Sequence, residues 1–350
     1  MKFELSEDQE LLRRATRDFL AGACPMEKSR QVMEHEARGF DAGQWSQIAE
    51  QGYLGLVVPP AGGGQGLGPI ELAIVAEELG RACLPGPHLD VMLAADLLAR
   101  ARGQDALLKD VTAGKAVVTI ARDDSPFNGT TAAVTRIEGG TLRGRKFFVP
   151  FAAEATALLV TTPDGVALAK GPFDTTALPT LDPGQRFGVV QLEQPAAIVG
   201  PTSLLERTDR LGAVAAGAML LGLMTRCLEM TLEYVGTRQA FKKPIGSFQA
   251  LQHRLADMLL RTESTRSAVY RAAWCLDAND ADAPLACAAA KAYAGDAARL
   301  VCGEAIQMHG GIGFTWELDL HFYFKRAKTL EQFYGSTETQ LARAAAAAGF

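Results

Sequence analysis

The apolar residues of this chain change period twice. Over residues 1–112 they recur at three- and four-residue spacing, as on one face of a helix. Ser6 and Gln9 stand as a capping box ahead of Leu12, Ala15 and Phe19, and Trp45, Ile48, Ala49 and Tyr53 keep the same spacing. A short apolar run, Leu54 to Val58, ends at Pro59-Pro60. A glycine-rich turn, Gly62 to Gly66, then leads into a helix carrying Ile70, Ala73, Ile74 and Ala76. Over residues 113–200 the apolar runs shorten to strand length: Val117–Ile120, Thr130–Ile137, Leu142–Val149, Ala157–Thr162, Val166–Ala169 and Phe187–Leu192. Asn128-Gly129, Gly139-Gly140, Pro163-Asp164-Gly165 and Asp182-Pro183-Gly184 supply the turns. Short strands so spaced predict a small β-barrel or sandwich. From residue 201 the helical period returns. Leu211–Tyr234 is apolar nearly all round and should be a buried central helix. Leu251–Leu276 is amphipathic, Pro284–Met308 is alanine-rich before the sequence GGIGF, and a last helix follows Ser336. Long helices with short breaks predict an antiparallel four-helix bundle. The expected class is α+β: a helical domain (1–112), a β domain (113–200) and a helical bundle (201–350).

Composition narrows the function. A chain of 350 residues can bury a large core. A net charge of −5 and a pI near 5.7 give no basic footprint for nucleic acid. No apolar run is expected to approach the ~20 residues that cross a bilayer. The N-terminus, MKFELSEDQELL, is acidic and lacks an apolar signal core, so the default location is cytoplasmic. The cysteines (Cys24, Cys83, Cys227, Cys275, Cys287, Cys302) form no C-x-x-C pair and sit mostly in apolar helical surroundings, as buried free thiols do. The histidines show no metal spacing, and no metal site is expected.

Candidate chemistry gathers where the central helix ends, over Thr237–Met258. Arg238 and Phe241 stand three apart and would share a helical face. Lys242-Lys243-Pro244 breaks the helix. Ser247 is the expected N-cap of a second helix with Leu251, Leu255, Met258 and Leu259 on one stripe. An arginine at such a break either grips phosphate bidentately or is simply solvated. The Gly62–Gly66 run matches neither G-x-x-x-x-G-K-[ST] nor G-x-G-x-x-G, so it reads as a turn. Gly310-Gly311 is open to two readings, a helix C-cap or a close backbone approach to a dinucleotide.

The pattern R-x-x-F-x-x-P-I-x-x-F-Q from Arg238, followed by L-A-D-M, resembles the signature of the acyl-CoA dehydrogenase family. The block G-L-x-V-P-x-x-x-G-G-x-G-L-G from Gly55, with its E-E-L-G-R at Glu77–Arg81, and QMHGGIGF at 307–314 resemble further family blocks. The resemblance implies a helical domain, a β-barrel domain and a four-helix bundle. It also implies FAD as cofactor and 2,3-desaturation of an acyl-CoA thioester, with an electron-transferring flavoprotein as the usual acceptor. Arg238 and Phe241 match residues that meet the FAD diphosphate and adenine side, across to the neighbouring subunit's cofactor. Ile245, Phe248 and Gln249 fall on matching contact positions. Gln307, Gly310 and Gly311 match the second cofactor block.

Four departures stand out. Lys242 replaces the glycine that usually follows the phenylalanine. Ala121–Phe127 stands where the family has T-E-P-x-x-G-S-D, and Phe148-Val149-Pro150 where it has W-I-[ST]. At the two places from which family members supply the proton-abstracting glutamate, this chain carries Tyr334 and Gly212. Glu206, Asp209, Glu331 and Glu338 lie close in sequence but out of register, so the catalytic base is unassigned. Three functions follow. The chain is a base-lacking subunit of a hetero-oligomeric acyl-CoA dehydrogenase for a bulky acyl group such as a steroid side chain. Alternatively it is a self-sufficient homo-oligomeric flavoenzyme (dimer or tetramer) with a relocated base or different thioester chemistry, or a cofactor-free binding scaffold.

Overall fold

A computed structural model describes residues 4–126 and 134–350. The expected turn at Asn128-Gly129, Phe127 and the start of the strand expected from Thr130 lie outside the described residues. In chain order the first helices are α1 (Glu7–Ala23), α2 (Met26–His35), α3 (Ala42–Glu50), α4 (Pro69–Arg81), α5 (His88–Arg100) and α6 (Asp105–Thr112). Seven strands follow: β1 (Val118–Ala121), β2 (Arg136–Glu138), β3 (Thr141–Pro150), β4 (Ala157–Thr162), β5 (Gly165–Lys170), β6 (Asp174–Leu178) and β7 (Phe187–Gly200). Then come α7 (Leu204–Thr237), the short strands β8 (Gln239–Ala240) and β9 (Lys243–Pro244), α8 (Gln249–Asp277), α9 (Ala283–His309), α10 (Leu320–Gln332) and α11 (Thr337–Ala347). Helices, sheet and helical bundle thus succeed one another as the sequence pattern predicts.

By contacts the chain forms two compact units. One joins Met1–Met26, Pro69–Leu84 and Arg210–Phe350; the other joins Glu27–Gly68 and Pro85–Asp209. The first is built on α7. Contrary to the expectation from sequence, this helix is long and apolar enough to cross a membrane, yet 89% of its apolar stretch is buried within the protein. It serves as a core helix, with Leu211, Val214, Leu220, Leu223 and Met224 enclosed. Two glycines let α4 lie against it. A Cβ on Gly80 would fall 2.6 Å from Met219 Cα, and one on Gly222 2.6 Å from the Arg81 amide nitrogen.

Around this contact, charges that burial would penalise are matched. Glu77 accepts from Arg266 at 2.5 Å and from the Tyr270 hydroxyl at 2.8 Å, and Arg17 grips Glu78 through two nitrogens at 2.9 and 2.7 Å. Arg81 holds Glu229 bidentately, at 2.6 Å for each bond. Burial opposes the Arg266 charge, but Glu77 and Glu263 outweigh it and hold its pKa above the usual range. These pairs are satisfied, and breaking one would strand its partner. On α8, Met258 is buried as expected, whereas Leu259 faces solvent, as does Leu260.

In the second unit the strands run in the order β1-β4-β5-β7-β3-β2, with β6 also on β7. β1 is parallel to β4, and the other pairs are antiparallel. β7 pairs with β3 and β6 along its first part and with β5 at its end. A bridge from Asp123 to Phe147 ties the stretch just after β1 to β3 and so curls the sheet toward closure. Inward residues such as Leu142, Val149, Leu158, Val160, Val190 and Leu192 form its core.

Candidate functional site

α7 stops at Thr237, with the Arg238 amide donating to Tyr234 O at 2.8 Å. Arg238 and Phe241 therefore do not share a helical face as predicted. The chain instead makes a hairpin pairing Gln239 with Pro244 and Ala240 with Lys243, closed by Ile245 N donating to Arg238 O at 2.8 Å. Phe241 and Lys242 at the turn have φ of 52° and 64°. Such two-residue turns require positive φ at both central residues, which match the twist of a hairpin. Pro244 has no N–H and disfavours helix in the residue before it, which is why the helix cannot run on. A glycine at 242 would escape the left-handed cost, about 1–2 kcal/mol for an L-residue.

Ser247 is not the N-cap it was expected to be. Its hydroxyl donates back to Pro244 O at 2.7 Å, and Phe248 caps α8 without a side-chain bond. Phe241 is 89% exposed, with its ring edge-on to Phe248 at 6.1 Å. Lys243 Nζ lies 4.3 Å above the Phe248 ring. Arg238 and Gln249 are exposed, and among the described residues the Arg238 guanidinium has no protein partner.

The second predicted block lies beside this hairpin. Tyr234, one turn before Arg238, stacks on His309 with centroids 4.3 Å apart, and its hydroxyl donates to His309 O at 3.3 Å. His309 ends α9 and immediately precedes Gly310. Its Nδ1 lies 2.7 Å from Ala305 O, and burial lowers its pKa. Gly310 has φ 64°, and a Cβ on Gly310 or Gly311 would meet nothing within 4 Å. Gly313 differs, since its Cβ would press within 3.1 Å of His309 Cβ. The Gln307 side chain is exposed. A partnerless exposed guanidinium, an exposed amide and two glycines bordered by open space fit the diphosphate and backbone of a dinucleotide. The Tyr234–His309 stack that joins the blocks was not read from sequence. Tyr234 lies outside the quoted motifs and His309 is an unassigned position within QMHGGIGF, so only their places just before Arg238 and Gly310 hint at it.

The two places where a base is expected converge. A Cβ on Gly212 would lie 2.6 Å from both Cγ and Cε1 of Tyr334, so the tyrosine ring fills the space a side chain at 212 would take. Tyr334 is held at φ 54°, and Gln340 Nε2 donates to its carbonyl. Of the carboxylates close in sequence to these positions, Glu331 is engaged by Lys328 at 3.0 Å and by the Thr337 hydroxyl at 3.1 Å. Asp209 accepts from Arg122 at 2.5 Å. Glu338 sits in the first turn of α11, behind the Ser336 N-cap.

In the sheet unit, the stretch after β1 is organised by a buried lysine. Lys146 Nζ donates to Arg122 O at 3.0 Å, Asp124 Oδ2 at 2.7 Å and Thr161 Oγ1 at 2.9 Å. Asp124 Oδ1 in turn accepts from the Thr135 amide at 3.1 Å and hydroxyl at 2.6 Å. Burial lowers the Lys146 pKa against the pull of Asp124. Burial also raises Asp123, against Arg122 and Lys146. Pro150 offers only its carbonyl, already taken by Thr119 Oγ1 at 2.9 Å. Phe148 is partly exposed at φ 51°.

Residues 6–110 match the family model described as acyl-CoA dehydrogenase, N-terminal domain, and residues 208–349 that of the C-terminal domain. The chain is 32% identical over 340 residues to the acyl-CoA dehydrogenase IpdE2 of Mycobacterium tuberculosis, covering 96% of each chain. Among solved structures it resembles a chain of the ChsE4-ChsE5 complex from Mycobacterium tuberculosis, with a TM-score of 0.88 and 30% identity over 99% of this chain and 98% of that one. A variant of the Tcur3481-Tcur3483 steroid ACAD gives a TM-score of 0.89 and 28% identity, covering 98% of each chain. The chain belongs to the acyl-CoA dehydrogenase family, the FAD-dependent oxidoreductases that act on CH–CH bonds.

Proposed function

We propose that this chain is the base-lacking subunit of a hetero-oligomeric acyl-CoA dehydrogenase, working in the cytoplasm on a bulky acyl-CoA thioester. The observation that carries this is the contrast within the chain. The diphosphate-side features are intact: Arg238 is exposed and partnerless among the described residues, and Gly310 and Gly311 border open space. The base position is closed by the Tyr334 ring over Gly212. FAD, when bound, supplies the hydride acceptor. Arg238 and Phe241 are assigned to its diphosphate and adenine side, Ile245, Phe248 and Gln249 to further contacts with it, Gln307 to an amide hydrogen bond, and Gly310 and Gly311 to backbone approach. A partner carries the carboxylate that takes the proton next to the thioester carbonyl.

Exposed apolar side chains support a partner surface on this unit. Leu232, Phe241, Leu259 and Leu260 lie along the end of α7, the hairpin and α8, and Phe314 and Trp316 follow the glycine block at 74% and 58% exposure. The two-component ChsE4-ChsE5 and Tcur3481-Tcur3483 structures support a hetero-oligomer, and the steroid ACAD supports a bulky acyl group. Electron-transferring flavoprotein is the expected oxidant of the reduced enzyme. The test is paired. Arg238→Ala should weaken FAD retention by the complex roughly 10- to 100-fold, the range of a charge-assisted bond to phosphate. Tyr334→Phe should leave turnover nearly unchanged. Loss of turnover in Tyr334→Phe at full flavin content would place an active site in this chain and favour the self-sufficient alternative.

A further inference from the structure

Lys291 lies on α9 with its side chain fully buried. Its Nζ donates to two main-chain carbonyls, Glu331 O at 3.0 Å and Gly335 O at 3.3 Å. The Glu331 carboxylate is turned to Lys328 and Thr337 instead. A buried ammonium is costly, and among the described residues its hydrogen-bond acceptors are peptide oxygens. The acceptors are not arbitrary. They bracket Phe333 and Tyr334 in the link between α10 and α11. Tyr334 adopts φ 54° and Gly335 φ 96°. The first is a conformation that a bulky L-residue keeps only when its surroundings impose it. Gln340 Nε2 holds the Tyr334 carbonyl from α11, and Lys291 holds the flanking carbonyls from a different helix. The outcome is the Tyr334 ring lying over Gly212 on α7.

We propose that Lys291 is a positioning residue for Tyr334. Its two charge-assisted bonds fix the Glu331–Gly335 link so that the tyrosine ring stays over Gly212 and keeps the base position shut. Lys291 touches no reacting group and acts only through residue 334. The proposal deepens the base-lacking reading, and it stands on that reading for its functional meaning. Its test reads Tyr334 directly, whereas the flavin content of the complex tests the partner role, so either can fail alone.

The experiment is fluorine NMR of the chain labelled with 3-fluorotyrosine at its six tyrosines, with Tyr334→Phe identifying the relevant resonance. In Lys291→Met, which keeps most of the side chain's length and removes the donors, the Tyr334 resonance is expected to leave its native position and move toward that of free 3-fluorotyrosine. The other five should stay in place, with native circular dichroism. A folded Lys291→Met chain whose Tyr334 resonance is unmoved overturns the proposal. If Lys291→Met does not fold, Tyr334→Gly is added, because glycine adopts the left-handed backbone without a clamp. Recovery of folding in that double variant supports the proposal, and continued failure overturns it.

Discussion

Introducing a methyl group at Gly212 probes the most consequential contact in the bundle. The new Cβ would stand 2.6 Å from two atoms of the Tyr334 ring, closer than real Cβ contacts allow, so the ring must move or the helix must shift. Overpacking of this kind costs about 1–3 kcal/mol. Alanine in a helix interior recovers about 1 kcal/mol relative to glycine, so Gly212→Ala alone should be neutral to moderately destabilising. In a Tyr334→Ala background the ring is gone and only the helical gain remains, so the same change should stabilise by about 1 kcal/mol. The two substitutions should thus couple by roughly 1–3 kcal/mol, well above the few tenths expected of independent sites. Urea denaturation of the four chains, with matched m-values, measures the coupling. Additive effects would refute the claim that the tyrosine ring occupies the space over Gly212.

Other substitutions test the surrounding frame. Gly222→Ala drives a methyl to within 2.6 Å of the Arg81 amide nitrogen, where rigid backbone cannot yield, so it should lower stability by about 3 kcal/mol or leave the chain insoluble. Lys146→Met strands Asp124 without its buried partner and should cost about 3–5 kcal/mol in chemical denaturation, while adding Asp124→Leu should recover much of that loss. Burial pushes Lys291 down to about 8 from 10.5, so between those values the unfolded chain binds the proton that the folded chain has released. Lys291 therefore detracts most below pH 8, and stability should rise as the pH climbs from 8 toward 10.5. The span is on the order of 3 kcal/mol. Lys291→Met should lose that rise when unfolding free energies are compared across the range.

Much of the fold was legible because periodicity reports which face of an element is buried. The capping box at Ser6 and Gln9 holds as expected, with both bonds formed, and α7, α8 and α9 fall where the apolar pattern put them. What escaped is what periodicity cannot encode. β6, with sequence DTTAL, has no apolar alternation and is defined by its pairing to β7 alone. Leu259 reads as part of the apolar stripe and lies exposed, since a stripe on a helix does not say whether a partner within the chain covers it. The break after α7 was placed correctly, but its shape was not. Nothing in Phe241-Lys242 announces two residues at positive φ, because glycine or asparagine is the usual sign. At the site, the resemblance to the family motifs is what proposes the cofactor-side residues. The convergence of Gly212 with Tyr334, the Tyr234–His309 stack and the Lys291 clamp join residues far apart in sequence, and only the packed helices bring them together.

The most direct test of the central claim is the visible absorption spectrum of the chain purified alone, set beside that of the chain co-expressed with a homologous acyl-CoA dehydrogenase chain encoded next to it. A subunit with an intact diphosphate side and a closed base position should show flavin absorbance only in the co-purified complex. Stoichiometric flavin in the lone chain would contradict it and make the region around Tyr334 the place to seek a complete active site.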